Sequence, residues 1–150
     1  MKEIIYTFLI AMAPVVELRG AIPAGVAAGL PLITAAIVSV IGNLVPVPFV
    51  LIFVRRVFHW MEQKSEFLKK IVKKFKDKAD RKKDNVLKYE FWGLVALVAV
   101  PLPGTGAWTG ALVAAMLDMQ LKRAIPAIVL GVLIAGVIVS LATAGVVAIW

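Results

Sequence analysis

The chain has no cysteine. Disulfides, thiolate nucleophiles and cysteine-ligated metals are therefore excluded, and the redox compartment leaves no mark. It has one histidine, His59. With no second histidine to share a metal, His59 reads as a surface imidazole beside Trp60, and no metal or other cofactor is expected. No Ser–His pair, paired carboxylates or phosphate-binding glycine-rich loop occurs, so neither an enzyme nor an ATP-driven pump is expected from this chain.

Charge is also missing where a soluble domain would have it. Residues 20–54, 91–117 and 124–150 are uncharged runs of 35, 27 and 27 residues. About 20 apolar residues cross a bilayer core, so each run is long enough. The chain is 61% hydrophobic, and a 150-residue soluble protein cannot bury three such runs. The expected class is an all-α integral membrane protein.

The charge that exists is gathered in one place. Residues 55–88 hold 13 of the 17 Lys and Arg and 5 of the 9 Asp and Glu, which accounts for the whole net charge of +8. This block, continued to residue 90, has no glycine or proline. Phe67, Leu68, Ile71, Val72 and Phe75 recur there at helical spacing among lysines. That pattern suits a basic amphipathic helix, either lying on an anionic membrane surface or packed on its own membrane domain. Nucleic acid is not an expected partner, because a juxtamembrane basic loop already has a reason to exist.

The start of the chain resembles a secretory signal only in part. Lys2 precedes an apolar run and Ala11-Met12-Ala13 looks like a cleavage site, but Pro14 would follow the cut and Glu3 opposes Lys2. The segment is read as mature protein.

Proline and glycine divide the apolar regions. Residues 4–30 contain a break at Pro14, Glu17, Arg19 and Gly20, then Pro23, Gly25 and Gly29. A long run, 31–54, is marked by Gly42, Asn43, Pro46 and Pro48. After the charged linker, 55–90, residues 91–117 contain Pro101-Leu102-Pro103-Gly104-Thr105-Gly106, and a final span covers 124–149. Each half thus reads as a broken pair followed by a long span.

Two topologies follow. If each broken pair is one kinked crossing, the chain crosses four times, and Lys122 and Arg123 face outside. If each is a re-entrant hairpin, Lys122 and Arg123 join the central loop inside, as the positive-inside rule prefers. The expected fold is therefore an inverted repeat of re-entrant helical hairpin (4–30 and 91–117) plus transmembrane helix (31–54 and 124–149), with a cytoplasmic basic helical linker between the repeats. Irregular backbone at membrane depth must be buried in protein or line a wet cavity, so residues 14–23 and 101–106 should face each other inside the protein. Gly25-x-x-x-Gly29 and Gly106-x-x-x-Gly110 offer close helix contacts.

Glu17 and Arg19 are the leading candidate site residues. Charges at that depth cost on the order of 2.5–3.5 kcal/mol each, and they persist when paired or when they work. Glu17 could carry a proton while Arg19 holds an anionic group; alternatively the two form an internal ion pair or snorkel to the interface. Pro101, Pro103, Gly104, Thr105, Gly106, Trp108 and Thr109 form a second candidate surface, since half-helix ends expose N–H and C=O groups that bind ions. Pro23 flanks the first break. Asn43 either hydrogen-bonds a break or lines a path. Asp118 and Arg123 read first as anchors at the inner surface.

Glu17-Leu18-Arg19-Gly20-Ala21-Ile22-Pro23 and Pro101-Leu102-Pro103-Gly104-Thr105-Gly106-Ala107-Trp108-Thr109-Gly110 resemble the two signatures of the small multidrug export protein family. Gly42-Asn43 with Pro46 and Pro48 also fits, and the resemblance covers nearly the whole chain. That family is similar in turn to the DedA (SNARE-associated, VTT) membrane proteins. The resemblance implies two re-entrant loops facing each other and translocation of a lipid or lipid carrier, often proton-coupled. It implies an acidic residue at the first loop, matched by Glu17, and an arginine before a proline after the second, matched loosely by Arg123 and Pro126. "Multidrug export" is kept as a family label.

The expected function is a secondary transporter or lipid translocase of the inner (cytoplasmic) membrane, with membrane lipids, an anionic or lipid-phosphate substrate and protons as partners. An uncoupled scramblase and a non-transporting scaffold using the basic loop are the alternatives. A chain with so few crossings is expected to need another copy to enclose a path, which points to a homo-oligomer.

Overall fold

The computed structural model describes residues 1–67, 69–71, 73–74 and 83–150. Seven helices appear among them: α1 (Lys2–Met12), α2 (Glu17–Ala27), α3 (Leu32–Leu44), α4 (Pro46–Lys64), α5 (Lys83–Ala99), α6 (Ala107–Met116) and α7 (Leu121–Ile149). The regular structure among the described residues is all helix, as the long uncharged runs predict.

The outside of this fold is greasy and its inside is made of small residues. Phe49 and Leu141 are 71% and 69% exposed, while Ala11, Ala21, Ala35, Ala107, Ala111, Ala114, Ala124 and Ala127 are fully buried. Water would reverse that arrangement, whereas lipid permits it, because in a bilayer helices associate by close packing of small residues. The run from Leu32 to Lys64 and helix α7 are each long and apolar enough to cross a membrane.

Each break joins two helices into a hairpin. In the first, Gly25 of α2 lies against Thr7 of α1, and an added Cβ would stand 2.8 Å from the Thr7 hydroxyl. In the second, a Cβ on Gly110 of α6 would run into Val98 of α5. The Gly-x-x-x-Gly pairs divide their labour: Gly25 and Gly110 allow close packing, whereas Gly29 and Gly106 are needed for backbone at φ 100 and φ 129.

The turns that leave the hairpins have one design. After α2, the Gly29 N–H donates to the Val26 carbonyl and the Leu30 N–H to the Gly25 carbonyl, both at 3.0 Å. After α6, the Asp118 N–H donates to the Ala115 carbonyl at 3.1 Å and the Met119 N–H to the Ala114 carbonyl at 3.0 Å. Gly29 and Asp118 both take left-handed backbone, at φ 100 and φ 52, which is the usual way to stop a helix and satisfy its last carbonyls. Pro31 and Gln120 then start α3 and α7 from extended backbone. Each of these long helices lays a glycine on the first helix of its own hairpin. A Cβ on Gly42 would stand 2.7 Å from the Phe8 carbonyl oxygen, and one on Gly131 3.0 Å from that of Val95.

Several boundaries differ from the sequence reading. The first long run does not stop at residue 54. With only Val45 between α3 and α4 and Pro46 at the first helical position, where proline is tolerated, helix continues to Lys64. Helix α5 begins at Lys83, eight residues before the apolar run. In both places helix propensity continues past the change in polarity. The expected amphipathic face of the linker falls partly outside the described residues: Leu68, Val72 and Phe75 are not among them, and Phe67 and Ile71 are exposed.

The turn after α6 lies at the same end of the molecule as the start of α5 and the end of α4. Leu117 and Met119 share a cavity with Tyr89 and Glu90, and Leu117 and Asp118 share another with Arg55 and His59. Partial burial raises the pKa of the Glu90 carboxyl, and the charge of Arg123 opposes the shift. Arg123 therefore stands at the charged-loop end.

Candidate functional site

The two breaks meet at Glu17, the first residue of α2. It is 3% exposed, and its backbone takes the left-handed φ of 51. For a residue with a Cβ, such strain costs about 1–3 kcal/mol and persists only where the surroundings enforce it. The surroundings here are the N-terminus of α6. The Trp108 N–H donates to Glu17 Oε1 at 3.1 Å and the Ala107 N–H to Oε2 at 3.3 Å. A helix start has free N–H groups and a partial positive charge, so α6 is capped by a carboxylate from the other half of the chain. Gly106 makes room, because a Cβ there would overlap the Glu17 carboxylate.

Arg19 does the converse for the end of α5. Its Nη2 donates to the Val100 carbonyl at 3.0 Å and to the Thr105 hydroxyl at 2.8 Å, and its Nη1 donates to the Leu102 carbonyl. The Thr105 hydroxyl lies 2.7 Å from the Val100 oxygen and 2.8 Å from the Leu102 oxygen. A planar guanidinium can bridge several carbonyls in this way, where an ammonium offers a point charge. Trp108 closes the arrangement from the second half. Its indole Nε1 donates to the Met12 carbonyl at 3.1 Å, at the last residue of α1.

Glu17 and Arg19 thus make no direct ion pair within 4.0 Å; each is spent on the opposite break. The structure gathers Glu17, Arg19, Thr105, Gly106 and Trp108 into one cluster. It does not bring every expected residue there. Pro23 sits on the exposed face of α2, since a residue six positions into the helix points away from its start. Pro101, Pro103 and Gly104 are exposed, as are Pro14 to Val16, so the crowns of the breaks stand open instead of facing each other inside. Thr109 is half-buried next to the cluster. Arg123 lies beyond the far end of α6, and that helix of 10 residues separates the two ends by about 15 Å. Asn43 is 1% exposed with its Oδ1 buried and unpartnered, and Ser39, one turn earlier, is fully buried with its hydroxyl likewise unpartnered. The Met12 carbonyl and the Ala107 N–H escaped the sequence reading because main-chain groups carry no residue signal. Among the described residues no cluster of His, Asp and Glu could hold a metal ion.

Residues 17–138 match the family described as "Putative small multi-drug export protein". The chain belongs to that family. The match to the small multi-drug export family begins at Glu17 and takes in the whole second break, so it covers Glu17, Arg19 and the loop they hold. No curated protein and no solved structure matches the chain. With its apolar exterior and two helices able to span a bilayer, this family member is a membrane protein.

Proposed function

We propose that the chain is a secondary transporter or lipid translocase of the cytoplasmic membrane, driven by protonation of Glu17. The carrying observation is the grip of the buried Glu17 carboxylate on the N–H groups of Ala107 and Trp108. A carboxylate held only by a helix terminus binds strongly while charged and weakly once neutral. Proton arrival therefore loosens the two hairpins, and proton loss draws them together. A ligand shifts such an equilibrium only through different contacts in its two states, and here the proton acts as that ligand. With the clamp closed, Arg19 holds the Val100 and Leu102 carbonyls; as it opens, Arg19 exchanges them for the anionic group of the cargo.

Correspondences between the two halves support this reading. Gly29, Pro31, Leu32 and Gly42 correspond in role to Asp118, Gln120, Leu121 and Gly131, at a constant shift of 89 positions. The same shift carries Glu17 onto Gly106 and Arg19 onto Trp108, and Arg19 and Trp108 each donate a side-chain N–H to the other half's broken helix. Halves that brace each other in this way and rock about a shared centre are a transporter architecture. The open crowns, with Val15 91% exposed, cannot face lipid bare. They line a wet vestibule or abut a second copy, in keeping with a homo-oligomer.

The same crowns favour a second reading, an uncoupled groove through which lipid headgroups slip. The two readings separate in liposomes containing the purified chain and fluorescent phosphatidylglycerol. The coupled reading predicts that an imposed proton gradient speeds lipid transfer and that Glu17→Gln removes the acceleration. Transfer equal in wild type and Glu17→Gln at every pH points to the groove, and no transfer by wild type refutes both.

A further inference from the structure

The two open crowns come directly before the two residues that fit together at the clamp. Residues 14–16 precede Glu17, and residues 101–105 precede Gly106, whose missing side chain leaves room for the Glu17 carboxylate. Helix α1 has 11 residues and α6 has 10, so each rises about 15–16 Å. That is half of a hydrocarbon core about 30 Å thick. The re-entrant hairpins of the transport reading, on which this inference rests, therefore place both crowns near the middle of the bilayer.

Three features of the crowns do not suit lipid or open water together. Their side chains are apolar and exposed, with Val15 at 91% and Leu102 at 56%. Their main chain is unmet. Among the described residues, the N–H groups of Val15, Val16 and Gly104 donate no hydrogen bond, and the carbonyls of Pro101 and Pro103 accept none. Behind the second crown, half-buried Arg19 holds the Val100 and Leu102 carbonyls and, among the described residues, no carboxylate. Lipid would leave the main-chain groups and the charge without partners. Water would leave the apolar side chains wet, and patches of that kind mark contacts with other molecules. A protein surface with apolar side chains and open donors and acceptors of its own meets all three needs. The crowns are such a surface, and a two-fold contact sets a patch against its own copy. Only two stretches of this chain are long and apolar enough to span a membrane, too few to wall in a path beside Arg19.

We propose that two copies of the chain pack crown against crown within the membrane and close the open side of each clamp. The two Arg19 side chains then flank one seam. Like charges across apolar walls repel, so an anion between them is held by both, and the seam is where the anionic group of the cargo binds. One chain is half of that site.

Single cysteines test this, since the chain has none of its own. Val15→Cys, Leu102→Cys and, as a control on the exposed face of α7, Leu141→Cys are purified as full chains. Each is reconstituted in phosphatidylglycerol liposomes and treated with a short bis-maleimide. Val15→Cys and Leu102→Cys should shift to cross-linked dimers, and Leu141→Cys should stay monomeric. Pro103→Cys replaces either crown variant if it does not fold. The inference is overturned if the crown variants stay monomeric, and their reaction with a membrane-impermeant maleimide would then mark a wet vestibule. It is also overturned if Leu141→Cys cross-links as fully as they do, which marks chance collision. Cross-linking needs no transport, so the two readings fail separately. Crown dimers with no lipid transfer by wild type would strike the transport reading and keep the pairing, whereas transfer by monomeric chains would overturn the pairing alone.

Discussion

The Glu17 carboxylate occupies the space that a side chain on Gly106 would need. The two residues are 89 positions apart in sequence, and their fit lets a charge from one hairpin cap a helix of the other. Gly106 is required twice over, because its φ of 129 and ψ of −168 lie in a region that essentially only glycine visits.

Gly106→Ala should therefore destabilise the protein by about 1–3 kcal/mol from backbone strain alone, and further by pushing Glu17 off the α6 terminus. Gly93→Ala is the control, since a Cβ there meets nothing within 4 Å and alanine suits a helix better by roughly 0.5–1 kcal/mol. Thermal unfolding in detergent should separate the two in sign.

Arg19→Lys keeps the charge but loses the planar fork that reaches both Val100 and Leu102. Amide hydrogen exchange across residues 100–108 should speed up nearly as much in Arg19→Lys as in Arg19→Ala. Protection equal to wild type in Arg19→Lys would show that charge alone holds the loop.

Trp108→Phe removes the indole donor to the Met12 carbonyl and keeps most of the ring. The expected loss is about 1 kcal/mol, read by thermal unfolding, with faster exchange in residues 12–17. Unchanged exchange there would mean that the Met12 carbonyl does not depend on Trp108.

How much of this was legible in the sequence depends on the kind of group. Glu17 and Arg19 stood out because charge in an apolar stretch is costly, and Gly106 stood out as part of a dense proline and glycine motif. Their partners did not, because Ala107, Val100, Leu102 and Met12 act through main-chain atoms. Trp108 was legible as part of the second candidate surface but not as a donor to α1, since that contact joins residues 96 positions apart. Pro23 misled because proline signals a break, yet here it lies on the outer face of an unbroken helix. Arg123 read first as an anchor at the inner surface, and it lies beyond the far end of α6 from Glu17.

Asn43 tests whether the core tolerates an apolar side chain near the end of α3. Its Oδ1 is buried without a partner, and an unmet group of this kind costs about 1–3 kcal/mol. Asn43→Leu, close in shape, should raise the unfolding midpoint, and if Asn43 serves transport, lipid transfer should fall at the same time. A lower midpoint would mean that the amide is bonded in the working protein.

The account depends on both hairpins turning back within the membrane, and site-directed labelling tests this most directly because the chain has no native cysteine. Single cysteines at Lys2, His59 and Gln120, all exposed positions, are treated in intact cells with a membrane-impermeant maleimide. The account predicts that Lys2→Cys reacts from outside, whereas His59→Cys and Gln120→Cys react only after the cells are opened. Labelling of Gln120→Cys from outside while His59→Cys stays protected would mean that the second hairpin is a full crossing, and would contradict it.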